Sequence, residues 1–441
     1  EEKARNETLR QTFLRCRDAG MLDSVPGLVF ARGEREGVAE ELVDTGPQRL
    51  LRDLDELPHP VLGYSCLEAP GRKTTLGSEP LPPDRIRRYT PIASIEMTYG
   101  CKFRCPYCPI PAYNQHQDRQ KSPDRILNEI RTLHDTYGLE WFFGTDDNFF
   151  NRRERTLDIA GTLAGATFSD GQPIRKKVRL MTEATIHDTY EMREDLHLVR
   201  SAGFRALWLG VEDMTATLVR KGQSVDKTRE VFRALRQARI HPMPMMMHDD
   251  TQPLLTLRSA RGLLNQTQLL RSAGAMTFQV LHLGPSHGRK LYKETYEDGL
   301  AYHAANGHRV EEWMNSGSYV IASRHPRPWL RQLNPLLAYL LFYNPLRFLL
   351  ACVLPKNRKH GFEDAFFQGM GCMGVLWNLF RTPWWAWRLL RGPIRRTHDV
   401  PRPDVPIRAP GGGPAAHEIP HGPDPKRIRR FAGTTSERSR D

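Results

Sequence analysis

"IASIEMTYGCKFRCPYCPIP", residues 92 to 111, joins an apolar run to three cysteines within eight positions. "IASIEMT" (92–98) has the length and β-branched content of a short strand. Directly after it, Cys101, Cys105 and Cys108 are spaced C-x-x-x-C-x-x-C. Thiolates are soft ligands, and a tight loop of several selects zinc or iron–sulfur. A cubane cluster usually takes four cysteines, yet the other four here (Cys16, Cys66, Cys352, Cys372) are scattered singly. Three close thiolates leave one metal position for an outside ligand, unless His116 closes the site as structural zinc. Bare thiols so placed would be prone to oxidation.

Outward from that stretch, short apolar runs alternate with amphipathic ones. Strands are expected at 92–98, 139–145, 178–184, 205–211, 240–247 and 276–283. Helices are expected near 122–136, 152–164, 188–202, 225–238 and 254–272, the first capped by Ser122 with Pro123 behind it. This alternation predicts an α/β fold, a partial or full (β/α)6 TIM-like barrel, with chemistry at the C-terminal ends of the strands. The cysteines follow the first strand, on that face.

The 441 residues carry a net charge of +13. Between Leu346 and Arg396, nine Lys/Arg stand against Glu363 and Asp364, more than half of that excess. So concentrated a positive segment invites phosphates of lipid or nucleic acid. Seven cysteines are too few for a disulfide scaffold, and the polar N-terminus is no signal peptide, so the cytoplasm is the expected compartment. The chain divides into a connector (1–90), the barrel (91–316), a helical and partly apolar C-terminal extension (317–396) and a basic Pro/Gly tail (397–441) expected to be disordered. It opens without Met and in mid-pattern, so upstream sequence is expected.

The cysteine spacing, with Tyr107 before the last cysteine, resembles the signature loop of the radical S-adenosylmethionine (radical SAM) enzymes. The resemblance implies that Cys101, Cys105 and Cys108 hold a [4Fe–4S] cluster. S-adenosylmethionine would chelate the fourth iron and be split to a 5′-deoxyadenosyl radical. "FFGTDDNFF" (142–150) looks like the branch whose members carry a cobalamin-binding domain. There Asp146, Asp147 and Asn148 would line the amino-acid end of the cofactor; as a plain turn they would cap the next helix. Glu183 and Glu212, at the ends of strands three and four, fall where the family reads the ribose and the methionine. Each could equally be an ordinary surface carboxylate. Residues 1–90 look like the segment joining a cobalamin domain to the barrel. No Asp-x-His-x-x-Gly stretch is present, so cobalamin is implied by kinship alone.

Where relatives carry Gly-Pro-like turns, this chain has "MMMHDDTQP" and "GPSHGRKLY". His248, Asp249, Asp250 and His287 are therefore candidates for substrate contact or proton transfer, set against ordinary loop roles.

In the extension, fifteen uncharged residues separate Arg331 from Arg347, interrupted by Pro335 and Pro345. That is short of the roughly 18 apolar residues of a membrane span. Trp377, Trp384, Trp385 and Trp387 beside Arg381, Arg388 and Arg391 have the composition of an interfacial helix; the alternative is a helical subdomain over the barrel mouth. The resulting expectation is a radical SAM enzyme, a peripheral membrane transferase that methylates or rearranges a lipid-, isoprenoid- or tetrapyrrole-like substrate. A flavodoxin- or ferredoxin-like reductant would serve it. A tRNA methylthiotransferase-like enzyme and a structural zinc scaffold are the alternatives. Nucleic acid is disfavoured, because residues 1–90 lack a second three-cysteine cluster and no β-rich module follows the barrel.

Overall fold

The computed structural model describes residues 11–35, 38–70, 79–285, 290–353, 361–401 and 405–412. A hairpin of β1 (Val29–Arg35) and β2 (Val38–Asp44) opens the described chain. Six strands then form one parallel sheet in sequence order: β3 (Ile92–Ile95), β4 (Trp141–Gly144), β5 (Arg179–Thr185), β6 (Phe204–Glu212), β7 (His241–His248) and β8 (Gln279–His282). β3 and β8 are the two ends of this sheet and do not pair, so the barrel is partial.

Between the strands run α1 (Pro123–Tyr137), α2 (Arg153–Gly165), α3 (Leu196–Ser201), α4 (Val225–Gln237) and α5 (Leu263–Ala273). The Ser122 side chain caps α1 by accepting from the Arg125 N–H at 3.1 Å, and Gly138 ends the helix with φ 67°. α5 begins nine residues later than its apolar pattern suggests. Asn265 ties the preceding chain into a loop through both its amide atoms, to the Thr256 N–H and C=O at 2.9 Å each. Phe142, Leu180, Leu207, Leu209, Met246 and Val280 pack outward against Ile130, Leu163, Val231 and Leu270 of the helices, forming the main core. The inward face is closed by a separate apolar cluster, Phe143, Met181, Ala206, Trp208, Met243 and Phe367.

An open sheet leaves main-chain groups at its edges unpaired, a hazard that proteins cover. Here tyrosine hydroxyls do so. Tyr64 accepts from the Ser94 N–H at 2.7 Å and donates to its carbonyl at 3.3 Å on β3. On the other edge Tyr339 and Tyr343 do the same for Val280 and Phe278, at 2.7–3.0 Å. These two lie one helical turn apart on α6 (Pro328–Phe342) and its C-cap, a spacing that matches alternate residues of a strand.

Pro335 lies inside α6 without ending it, because the helix is held along β8; Pro345 instead opens α7 (Pro345–Val353). The long α8 (Gly361–Arg391) packs back against α6 and α7. Its Trp385 is fully buried and donates to the Val320 carbonyl at 3.0 Å. Among the described residues no helix is long and apolar enough to cross a membrane. The stretch read as a tail from 397 is in part ordered. β9 (Ala301–Ala305) pairs with β10 (Ile394–Thr397), and β11 (Ile407–Arg408) adds to β2, since strand pairing needs main-chain groups rather than apolar side chains. Residues 413–441 lie outside the described residues.

Candidate cluster and cofactor site

The cysteine loop is closed at its base by a two-residue ladder, Thr98–Tyr99 against Arg119–Gln120. Gly100 enters the loop at φ 86°, and a Cβ there would stand 2.0 Å from the Gln117 carbonyl oxygen, so only glycine fits. The loop is then bolted to the turn after β4. Asp147 accepts from the Gly100 N–H at 2.6 Å, from Asn114 Nδ2 at 3.0 Å and from the Tyr113 hydroxyl at 3.3 Å. Asn151 donates to the Gly100 carbonyl at 2.7 Å and accepts from the Lys102 N–H at 3.1 Å. Asn148 donates to Asn151 at 2.9 Å and to Asp188 at 2.7 Å, with the Cys101 sulfur 3.9 Å away. Lys102 Nζ completes the ring on Asp188 at 2.6 Å.

Cys105 is buried; Cys101 and Cys108 are half-buried. Burial pushes the Cys101 thiol up to about 11 and also raises Cys105, with the Lys221 ammonium pulling the other way. Metal ligation removes such protons and neutralises the buried thiolates. Among the described residues no group of three His, Cys, Asp or Glu side chains is placed to hold a single metal ion. A donor set of three loop thiols fits a multi-iron cluster. Tyr107 packs against Cys105 and Val219 with its hydroxyl buried beside the Cys105 sulfur.

The carboxylates of the rim divide into two kinds. Asp146 is scaffold rather than cofactor contact. Its Oδ1 accepts from the Met97 and Thr98 N–H groups at 2.9 and 2.7 Å and from Thr98 Oγ1 at 3.0 Å, and its Oδ2 accepts from the Thr182 hydroxyl. Burial lifts it to about 6 against those bonds. Asp147 likewise spends its carboxylate on the cysteine loop, and Asn148 is tied to Asn151, Asp188 and the Thr185 N–H. Glu183 differs: burial, then the charges of Asp146, Asp147 and Glu212, lift it to about 7. Glu212 sits at φ 58°, where the β6–β7 register shifts, and pairs with Lys221 Nζ at 3.0 Å. The loop that delivers Lys221 is wound around buried Asp213, which accepts from the Thr215 and Thr217 N–H groups and hydroxyls. Glu183, Glu212, Lys221 and Tyr107 thus surround the thiols with groups suited to hydroxyl, ammonium and carboxylate functions of a ligand.

The three proton-transfer candidates among the described residues are bonded elsewhere. His248 is fully buried, its Nδ1 donating to Gln252 Oε1 at 2.7 Å and its Nε2 accepting from Asn334 at 2.9 Å. Burial and the nearby Arg331 charge hold it down to about 3, so it is a neutral strut. Asp249 folds its own turn, accepting from the Thr251 N–H and hydroxyl at 2.5 and 2.7 Å. Asp250 accepts from the Ser323 hydroxyl and the Arg324 N–H at 2.6 Å each and docks the C-terminal extension. His287 lies outside the described residues. Sequence reasoning missed Lys102, Asn151, Asp188 and Lys221. Asn151, three residues after Asn148 in the same turn, was the readable one.

The profile of the Radical SAM superfamily matches residues 95–252. The hopanoid C-3 methylase of Methylococcus capsulatus is 28% identical over 229 residues, covering 50% of this chain and 41% of that protein. The hopanoid C-2 methylase of Rhodopseudomonas palustris is 27% identical over 129 residues, 29% of this chain and 24% of that one. The chain therefore spans well under half of these relatives. Among solved structures, the cobalamin-dependent S-adenosylmethionine radical enzyme OxsB, with aqua-cobalamin and S-adenosylmethionine bound, aligns over 84% of this chain and 54% of its own with TM-score 0.53 and 14% identity. At that identity the likeness concerns the fold.

Proposed function

We propose that this chain, whose residues 95–252 match the profile of the Radical SAM superfamily, is a methylase of the cobalamin-associated branch acting on a hydrophobic, lipid-like substrate. The observation that carries the reading is the clamp of Asp147, Asn148, Asn151, Asp188 and Lys102 on a loop of exactly three thiols. A cluster held by these thiols would supply the single electron that reductive cleavage of S-adenosylmethionine requires. The protein's part is to fix the geometry. Cys101, Cys105 and Cys108 would hold the irons and, having no fourth thiol beside them, leave one for the nucleotide. Tyr107 would lie against that ligand. Glu183 and the Glu212–Lys221 pair would take its hydroxyl, ammonium and carboxylate groups. Orientation and exclusion of water then allow abstraction from an unactivated carbon, which offers no acid/base handle.

The lipid-like substrate is supported by the hopanoid methylases among the relatives and by the exposed apolar faces of α7 and α8, through which the enzyme would work at the inner face of a membrane. Cobalamin is proposed as the methyl carrier, and a flavodoxin- or ferredoxin-like protein as reductant. The test is anaerobic turnover of reconstituted protein with reductant, cobalamin, a hopanoid or other polycyclic lipid and methyl-labelled S-adenosylmethionine. We expect labelled lipid together with both S-adenosylhomocysteine and 5′-deoxyadenosine. Deoxyadenosine alone would leave the radical chemistry standing and remove the methyl transfer.

A further inference from the structure

Between Asp364 and Arg381, about half its length, α8 carries no charged residue. Ala365, Gln368, Val375, Trp385 and Leu389 form its buried side. Opposite them Phe366, Met370, Met373, Trp377 and Phe380 are each more than half exposed, at spacings of four and three residues that put them on one helical face. The exposed Leu376 and Leu379 widen that face, and α7, packed beside α8, adds Leu346, Leu349 and Val353. An exposed apolar surface two helices wide marks an interaction site.

The helix also runs the height of the half-barrel. Near its start Phe367 joins the inner cluster with Met181, Ala206 and Met243, which lie early in β5, β6 and β7. There Phe366 and Phe367 reach a cavity of about 680 Å³ at the amino end of the sheet, which five arginines also line, among them Arg179 and Arg205. Near the other end of α8, Trp385 donates to the Val320 carbonyl. Close by in sequence, the Gly317 carbonyl accepts from the N–H of His282, the last residue of β8 on the carboxyl rim. The composition of the helix changes along this path. Arg381 lies over Trp377 at 5.9 Å, Arg388 over Trp384 at 4.9 Å and Arg391 over Trp387 at 6.0 Å. Arg381 and Arg388 also donate to the Tyr319 hydroxyl and the Asn306 carbonyl at 3.1 Å each, both uncharged partners. Tryptophans beside cations settle at the headgroup level of a bilayer, whereas uncharged apolar side chains go below it.

We propose that α7 and α8 insert side-on into one leaflet of an anionic phospholipid bilayer. The stripe from Phe366 to Phe380 lies below the headgroups, and the Arg–Trp end lies at their level. This deepens the membrane contact proposed above, on which it rests, and is independent of the radical chemistry. A second copy of the chain is a poorer occupant. A helix pair in water carries charges beside its apolar seam, and the flank here is Gly374, Leu376 and Leu379. Acyl chains need no such charges, and the sequence from Leu346 to Arg396, with nine Lys/Arg against Glu363 and Asp364, complements anionic headgroups. A half-barrel so held lies along the membrane, its cysteine rim beside the surface from which a lipid would come.

The test is co-sedimentation of the full, cluster-reconstituted chain with vesicles of phosphatidylcholine mixed with phosphatidylglycerol. At about tenfold in partition per inserted apolar side chain, Met373→Ser/Phe380→Ser should weaken binding about 100-fold and leave the iron content unchanged. Leu346→Ser/Leu349→Ser serves as a second pair should the first unfold, with circular dichroism reporting the fold. Lipid brominated in its acyl chains should quench tryptophan fluorescence, and Trp377→Phe and Trp387→Phe should each remove part of that quenching. A loss through one of them alone would mean a helix that dips at one end and would overturn the side-on placement. Binding unmoved by either serine pair would overturn the insertion while sparing the membrane contact. No binding would overturn both. A dimer in sedimentation velocity without vesicles, dissolved by the same serine pairs, would reassign the face to a second copy.

Discussion

The two ends of the half-barrel are built from the same strands and handle charge in opposite ways. At the carboxyl rim, acidic groups crowd together, and nearly all are used: Asp146, Asp147, Asp188 and Asp213 accept several bonds each from main-chain and side-chain donors. At the amino end, five arginines line one cavity. The difference follows from the direction of the chain. Strand ends and helix starts offer N–H groups, which carboxylates satisfy, whereas helix ends and strand starts favour cations. The rim is a rigid frame for chemistry, and the other end gathers positive charge.

If the ends are functionally separate, Cys105→Ala should abolish cluster iron and drop deoxyadenosine formation to background while leaving vesicle binding intact, a contrast read by iron analysis and co-sedimentation on one preparation. Loss of both would break the comparison. The next largest effect lies within the rim. Lys221 and Glu212 are an almost fully buried pair, their side chains 10% and 14% exposed. Lys221→Met leaves a carboxylate buried alone and should cost about 3–5 kcal/mol, whereas Lys221→Met/Glu212→Gln should recover most of it in urea unfolding.

Glu183 sharpens the contrast through pH. Its folded pKa, about 7, lies above the ordinary 4.5, so the folded state holds the proton more tightly. Stability from this group is complete below pH 4.5 and is lost as pH rises through 7, a change of up to about 3 kcal/mol in the metal-free protein. Glu183→Gln should flatten that slope; an unchanged slope would show that the carboxyl is not crowded by its neighbours. The smallest effect is expected at the open edge. Tyr343→Phe removes the hydroxyl that serves both main-chain groups of Phe278 and should lower stability by about 1–2 kcal/mol, with cluster content unchanged.

Much of this frame was legible in the sequence because period and spacing are local. The six strands fall within a few residues of their apolar runs, and the three cysteines declare themselves by separation alone. The carboxylates of "TDDNFF" were legible as site residues but not by role. Whether Asp146 faces a ligand or the Met97 and Thr98 amides depends on a contact 48 and 49 residues away. His248 misled for a related reason: imidazole titrates near neutrality in water, but burial between Gln252 and Asn334 keeps it neutral. The arginine cavity was invisible because its five members come from three separate crossovers, each ending as any surface helix might.

The central claim is that three thiols hold a cluster with one iron left for S-adenosylmethionine. Its most direct test is low-temperature electron paramagnetic resonance of the reduced, anaerobically reconstituted protein, recorded with and without S-adenosylmethionine. The account predicts a [4Fe–4S]⁺ signal whose shape changes when the nucleotide is added. A protein that takes up zinc in place of iron, or a cluster signal indifferent to the nucleotide, would contradict it.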